Sequence, residues 1–169
     1  VDPGLELTVR VRGFGADDGE ARIRTDAGGI WWGQDVGRGV FRFRGLRAGE
    51  SHALLCRSDL SGRYAFAEGL RAGGPAVEVA AQPGRTIRGR VVLDRPKSYG
   101  PEGWIRTSFR GFDLGVGIRN GRFVSRALPE GRYLISAAVQ QVGNPPWTAE
   151  VEAEAGAEDV EIRRPPSPR

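Results

Sequence analysis

Residue types that carry chemistry are scarce in this chain. Its 169 residues include one cysteine, one histidine, one lysine and no methionine. A single thiol, Cys56, excludes an internal disulfide and leaves the redox compartment open. One His and one Cys cannot build a zinc site without recruiting carboxylates. No apolar run approaches the roughly 18 residues of a membrane-spanning helix, so direct membrane insertion is not expected. The opening Val1-Asp2-Pro3-Gly4 shows no basic segment followed by an apolar one, hence no visible signal peptide. With methionine also absent, this start reads as a piece cut from a longer chain, any targeting signal lost with the cut. Helical spacing of apolar residues is missing throughout.

What is present suits a soluble all-β protein. Hydrophobic residues make up 39% and charged residues 27%. The 26 glycines and 11 prolines suit short strands joined by tight turns. The net charge of +4 is carried by Arg apart from Lys97, a composition that a GC-rich genome explains. Residues 1–83 balance 11 Arg against 11 acids, whereas 84–169 hold 14 basic residues against 10 acids. Segment 150–161 holds six acids and no base, and 85–132 is basic. Strands of opposite charge side by side would make this internal compensation and not a nucleic-acid footprint.

The chain repeats itself at an offset of 82 residues: Ile23-Arg24-Thr25 recurs as Ile105-Arg106-Thr107, and Phe41 as Phe123. Leu46 matches Leu128 and Gly49 matches Gly131. At the same offset Val9 and Val11 match Val91 and Leu93. Near the end the offset slips by one, so that Val77 and Val79 match Val160 and Ile162. Repeats of this kind imply two copies of one structural unit. The boundaries read as 1–83 for the first and 84–163 for the second, with 164–169 a linker or disordered tail rich in proline.

Within each unit, apolar and charged residues alternate with period two, as in Leu5, Leu7, Val9 and Val11 against Glu6, Thr8, Arg10 and Arg12. Turn signals such as Asp17-Asp18-Gly19, Gly28-Gly29 and Asn120-Gly121 separate the runs, and Asn-Gly favours a type I′ hairpin. Such patterning predicts two tandem seven-stranded antiparallel β-sandwiches of Ig-like or transthyretin-like architecture.

The stretch Asn120-Gly121-Arg122-Phe123, followed by Leu128-Pro129-Glu130-Gly131-Arg132-Tyr133-Leu134-Ile135, resembles the signature of carboxypeptidase regulatory-like domains. These are transthyretin-like (prealbumin-like) sandwiches. The first unit keeps Gly39, Phe41, Leu46 and Gly49 but has Arg47 for Pro129 and Ser51 for Tyr133, so it reads as a diverged copy. An early family pattern, Asp-x-x-Gly-x-Pro after an apolar strand, is replaced by a longer loop after Asp94. The resemblance implies Phe123, Leu128 and Tyr133 in the core and a turn at Pro129–Gly131. It further implies a non-catalytic accessory role in a secreted, periplasmic or cell-surface protein.

Candidate chemistry is sparse. His52 and Cys56 share one strand face, about 13 Å apart by strand geometry, too far for a catalytic hydrogen bond. Cys56 reads as a small core residue, and no catalytic residue is expected. Asp17-Asp18-Gly19-Glu20 could bind calcium but reads more simply as a hairpin turn, so no metal or cofactor is expected. Gly13-x-Gly15 and Gly28-Gly29 precede no helix and lack the P-loop lysine. Arg10, Arg12, Arg22, Arg24, Arg42 and Arg44 would form a positive stripe if their strands adjoin, yet the first unit is neutral and nucleic-acid binding is not expected. Trp31-Trp32-Gly33-Gln34-Asp35 stands out. An exposed Trp beside Gln34 and Asp35 would suit a sugar ring, with Trp104 and Trp147 as possible additions; the bland alternative is that these Trp fill small cores or seal contacts between domains. Two functions follow: a spacer or protein-interaction pair contacting neighbouring domains or another protein, or a polysaccharide-binding module using exposed Trp.

Overall fold

Alternating polarity gives each strand one face for a core and one for water. The computed structural model describes residues 4–15, 19–58, 61–93, 101–141 and 144–165, and every regular element among them is a strand. The chain divides into two compact units, Val1–Gly84 and Arg85–Arg169. Of the proline-rich tail, residues 166–169 lie outside the described residues, as does the segment 94–100 that holds the longer loop.

The first unit contains β1 (Leu5–Arg12), β2 (Glu20–Thr25), β3 (Ile30–Trp32), β4 (Gln34–Gly37) and β5 (Val40–Leu46). It continues with β6 (His52–Ser58), β7 (Arg63–Leu70), β8 (Val77–Ala80) and the short β9 (Gln82–Pro83). One sheet runs β4-β5-β1-β8 and the other β3-β2-β6-β7-β9. The edge segment changes sheets at Gly33, between β3 and β4. A Cβ there would lie 2.8 Å from the Phe43 ring, so only glycine lets the backbone pass so close. Leu7, Val9, Val11, Phe41, Phe43 and Leu46 from one sheet meet Ala21, Ile23, Leu54, Cys56 and Ala65 from the other. Each fully buried large side chain contributes roughly 1.5–3 kcal/mol.

The second unit contains β10 (Arg88–Val92), β11 (Glu102–Phe109), β12 (Phe112–Ile118), β13 (Arg122–Val124), β14 (Arg132–Gln141), β15 (Asn144–Glu154) and β16 (Val160–Arg163). Its sheets run β13-β10-β16 and β12-β11-β14-β15. Ile87, Ile105, Phe112, Leu128, Ile135 and Ile162 fill its core. Both units are all-β sandwiches. The expected seven strands are found in the second unit but nine in the first, among the described residues. The expectation of purely antiparallel pairing is corrected once in each unit, since β1 pairs with β8, and β10 with β16, in parallel. The last strand of each unit reaches the first through a crossover between sheets, not through a hairpin, and so can enter in either direction.

Strand register aligns the two units residue by residue. Val9 lies opposite Phe41 and Val77, as Gly89 lies opposite Phe123 and Val160. The first strands therefore correspond at an offset of 80 (Val9 to Gly89), and Val11 matches Val91, not Leu93. The N–H of Val11 donates to Gly39 O at 2.8 Å, and that of Val91 to Gly121 O at 2.7 Å. Arg10 faces Glu78 and Arg90 faces Glu161 across the two parallel pairs.

The hairpin signal at Asn120-Gly121 is a type I′ turn, with φ of 50° and 72°. Arg119 and Arg122 exchange two backbone hydrogen bonds of 2.9 Å around it. Phe123, Leu128 and Tyr133 are buried, and the Tyr133 hydroxyl donates to Pro129 O at 3.0 Å.

Candidate functional site

The two groups most suited to covalent chemistry are in the core. His52 and Cys56 point inward from β6, both 0% exposed. Burial pushes the Cys56 thiol far above its ordinary value, so it stays protonated and unreactive. Neither ring nitrogen of His52 has a hydrogen-bond partner among the described residues. Asp17 and Asp18 of the calcium candidate lie outside the described residues. Among those described, no three His, Cys, Asp or Glu gather as metal ligands, and no helix is long and apolar enough to cross a membrane.

The surface aromatics are better placed. In β3, an edge strand, Ile30, Trp31 and Trp32 are 44%, 37% and 61% exposed. Trp31 pairs with Ile23 on the core-facing side, and its ring lies against Gly29, where a Cβ would come within 2.5 Å. Trp32 pairs with Arg22 on the outer side, the guanidinium 3.9 Å from the ring centroid. That stacking is a cation–π contact. Glu20 holds Arg22 at 2.9 Å and also pairs with the buried Arg57 of β6. The Glu20 carboxylate thus ties the guanidinium that braces Trp32 to the buried Arg57. An edge strand has no neighbour on its far side, which is why neither Trp is enclosed.

The remaining sequence candidates do not converge on Trp32. Gln34 and Asp35 belong to β4, in the other sheet, and Asp35 accepts the Gly37 N–H at 2.7 Å. Trp147 is corrected to a core residue. It is 9% exposed, opposite Val139 in β15, where strand alternation turns it inward. Trp104 of β11, a secondary candidate in the sequence, is the most exposed large hydrophobic residue among those described, at 67%. The signal was available: Ile105 aligns with the core residue Ile23, so its neighbour must face outward.

Trp104 and the Arg22–Trp32 pair occupy one structural position in the two units. Arg22 lies opposite Trp32 and Leu55; Trp104 lies opposite Gly117 and Ala138. Arg22 therefore corresponds to Trp104, and Trp32 to Gly117. Each unit forms the same strand pair without the Trp that the other carries, so the fold requires neither indole.

The arginines of the sequence stripe split between sheets. Arg10, Arg12, Arg42 and Arg44 lie on β1 and β5, Arg22 and Arg24 on β2. Arg10 and Arg12 both approach Glu78, and Arg42 and Arg44 both approach Glu6. The Arg44 hydrogen bond, aided by Thr8, holds the Glu6 carboxyl below the usual range. Glu161 is lowered likewise by its hydrogen bonds from Arg90 and Arg163. Acids of segment 150–161 pair with Arg88, Arg90 and Arg132, which is the compensation expected of adjacent strands of opposite charge.

No family model matches the chain, and no curated protein matches it. Among solved structures it is similar to the Bacillus anthracis TIE protein, with 12% identity over 96% of this chain and 33% of that one, at a TM-score of 0.35. A streptococcal ancillary pilin matches at 12% identity over 96% of this chain and 63% of the pilin, TM-score 0.29. A leucine-rich repeat protein from Bacteroides thetaiotaomicron matches at 10% identity over 95% of this chain and 25% of that protein, TM-score 0.30. The chain thus spans between a quarter and two thirds of the length of these structures.

Proposed function

We propose that this chain is a non-catalytic accessory pair of β-sandwiches in a larger, extracytoplasmic protein, and that its first unit contacts a neighbouring domain through the β3 edge. One observation carries this reading. Ile30, Trp31 and Trp32 lie exposed where the second unit has Gly115, Val116 and Gly117 in the equivalent strand. Three large apolar residues on an open edge invite pairing, and natural proteins normally cover or charge such edges. The resemblance of residues 120–135 to carboxypeptidase regulatory-like domains supports an accessory role outside the cytoplasm.

Amide hydrogen exchange tests it, comparing this chain alone with the longer polypeptide that the reading requires. The amides of 30–37 should gain protection in the longer protein. Equal exchange in both would overturn the reading. A second reading, polysaccharide binding, is favoured by the exposure of Trp104 on a sheet face with clefts on either side.

A further inference from the structure

Trp104 differs from the β3 edge in its surroundings. It rises from the outer face of the β12-β11-β14-β15 sheet, and its row of neighbours is small: Gly117 on one side, Ala138 and then Thr148 on the other. These leave the indole standing clear of the sheet, with no guanidinium stacked on it among the described residues such as Arg22 supplies to Trp32. Clefts open on both sides. One, of about 520 Å³, is bordered by Glu102, Gln140 and Thr148. The other, of about 850 Å³, is bordered by Arg106, Ser136 and Glu150. Both fall in the roughly 300–1,000 Å³ range of small-molecule sites.

The cations on this face are already matched, and Glu102 and Glu150 add negative charge to it. Arg106 lies 3.7 Å from Asp113, Arg163 lies 2.6 Å from Glu161, and Ser136 donates to Glu150 at 3.0 Å. A surface with its cations paired and acids beside them offers little to a polyanion, whose capture depends on unpaired cations. It offers an apolar plate between two rows of hydrogen-bonding groups, amide, hydroxyl and carboxylate. The C–H face of a pyranose fits such a plate, because one side of the ring is apolar while its hydroxyls project at the rim. A protein partner would more readily use a continuous apolar patch, whereas the other exposed large apolar residue of this face, Leu134, lies four residues along β14 from Ala138, the neighbour of the indole.

We infer that the outer face of the second unit binds a neutral polysaccharide, with one sugar ring stacked on Trp104 and the flanking sugars held in the two clefts. This rests on the second of the two readings above and assigns it a site and a ligand class. Gln140 and Thr148 would take hydroxyls on one side, Ser136 and Glu150 on the other.

Affinity electrophoresis of the whole chain tests the inference, in gels containing soluble β-glucan, xylan, galactomannan or starch, with alginate as the polyanion. At least one neutral polymer should retard the chain. Trp104→Ala should weaken that retardation about ten-fold or more, the order of one lost aromatic contact. Trp32→Ala should leave it unchanged. Circular dichroism of Trp104→Ala should match the parent, since the first unit folds with Arg22 in that place. Retardation by none of the neutral polymers, by alginate alone, or equally with Trp104→Ala would overturn the proposal. None of these outcomes bears on the β3 edge, which hydrogen exchange reports separately.

Discussion

His52→Ile is the substitution that the internal repeat makes most informative. His52 pairs with Thr25 across β2 and β6, and Ile135 pairs with Thr107 at the same place in the second unit. Both side chains are 0% exposed. The fold thus accepts an aliphatic residue here and in one copy carries an imidazole with no hydrogen-bond partner among the described residues. A neutral imidazole has one donor and one acceptor, and each buried and unsatisfied costs about 1–3 kcal/mol. Isoleucine removes both and suits a strand, whereas refitting its branched chain costs about 1–3 kcal/mol. Taken at mid-range, the balance is a gain of about 2 kcal/mol in the first unit. For a unit of this size each kcal/mol corresponds to a rise of about 4–8 °C in Tm. Urea unfolding read by residue-resolved hydrogen exchange keeps the two units separate. Protection should rise in β1, β2, β5 and β6 and stay constant in β11 and β14. A loss of stability on His52→Ile would show that the imidazole makes contacts worth more than an aliphatic core residue, and the alignment of the two units at this position would be wrong.

Three further outcomes follow from named contacts. Glu20→Gln should destabilise the first unit by about 1.5–3 kcal/mol in a urea melt, because it weakens a charge-assisted hydrogen bond to the buried Arg57; a change under about 0.5 kcal/mol would mean Arg57 does not depend on that pairing. Cys56 should not react with an aromatic disulfide reagent in the native chain and should react stoichiometrically once unfolded; fast native labelling would contradict its burial. Glu6 and Glu161 have lowered folded values, so the stability they add is present above the ordinary carboxylate value of 4.5 and is lost as pH falls through their folded values. An acid titration of the chain by circular dichroism should therefore show declining stability below that value, and Glu6→Gln with Glu161→Gln should flatten the decline; an unchanged profile would assign acid sensitivity elsewhere.

Much of the architecture was legible because polarity alternation and hairpin chemistry are local. The family resemblance places Phe123 and Tyr133 inside, whereas Asn120-Gly121 could be placed in a type I′ turn from the residues alone. The parallel pairs β1/β8 and β10/β16 could not, because alternation fixes which face a residue takes and not the direction of the strand beside it. The correspondence of Val9 with Gly89 was hidden for a related reason. Apolar residues recur at nearly every second position, as Leu7, Val9 and Val11 and as Ile87, Val91 and Leu93, so a slip of two residues still leaves an apolar match. Trp31 and Trp32 were noticed as a pair, but their exposure depends on β3 being an edge strand, a property of sheet order. Trp147 misled because a Trp reads the same in a core and on a surface; only its partner Val139 distinguishes the two.

Two copies in one chain supply a control that a single domain lacks. A residue present at equivalent positions in both units, such as the Arg10–Glu78 and Arg90–Glu161 pairs, can be explained by the fold that the units share. A costly residue present in only one cannot. Trp32 opposes Arg22 in the first unit, where the second has Gly117 opposing Trp104, and each arrangement closes the same strand pair. Exposed indoles increase the tendency to aggregate and, on this comparison, add nothing that the sandwich needs. The difference between the units therefore selects candidate surfaces more sharply than exposure does: a braced aromatic edge in the first, an indole between polar clefts in the second.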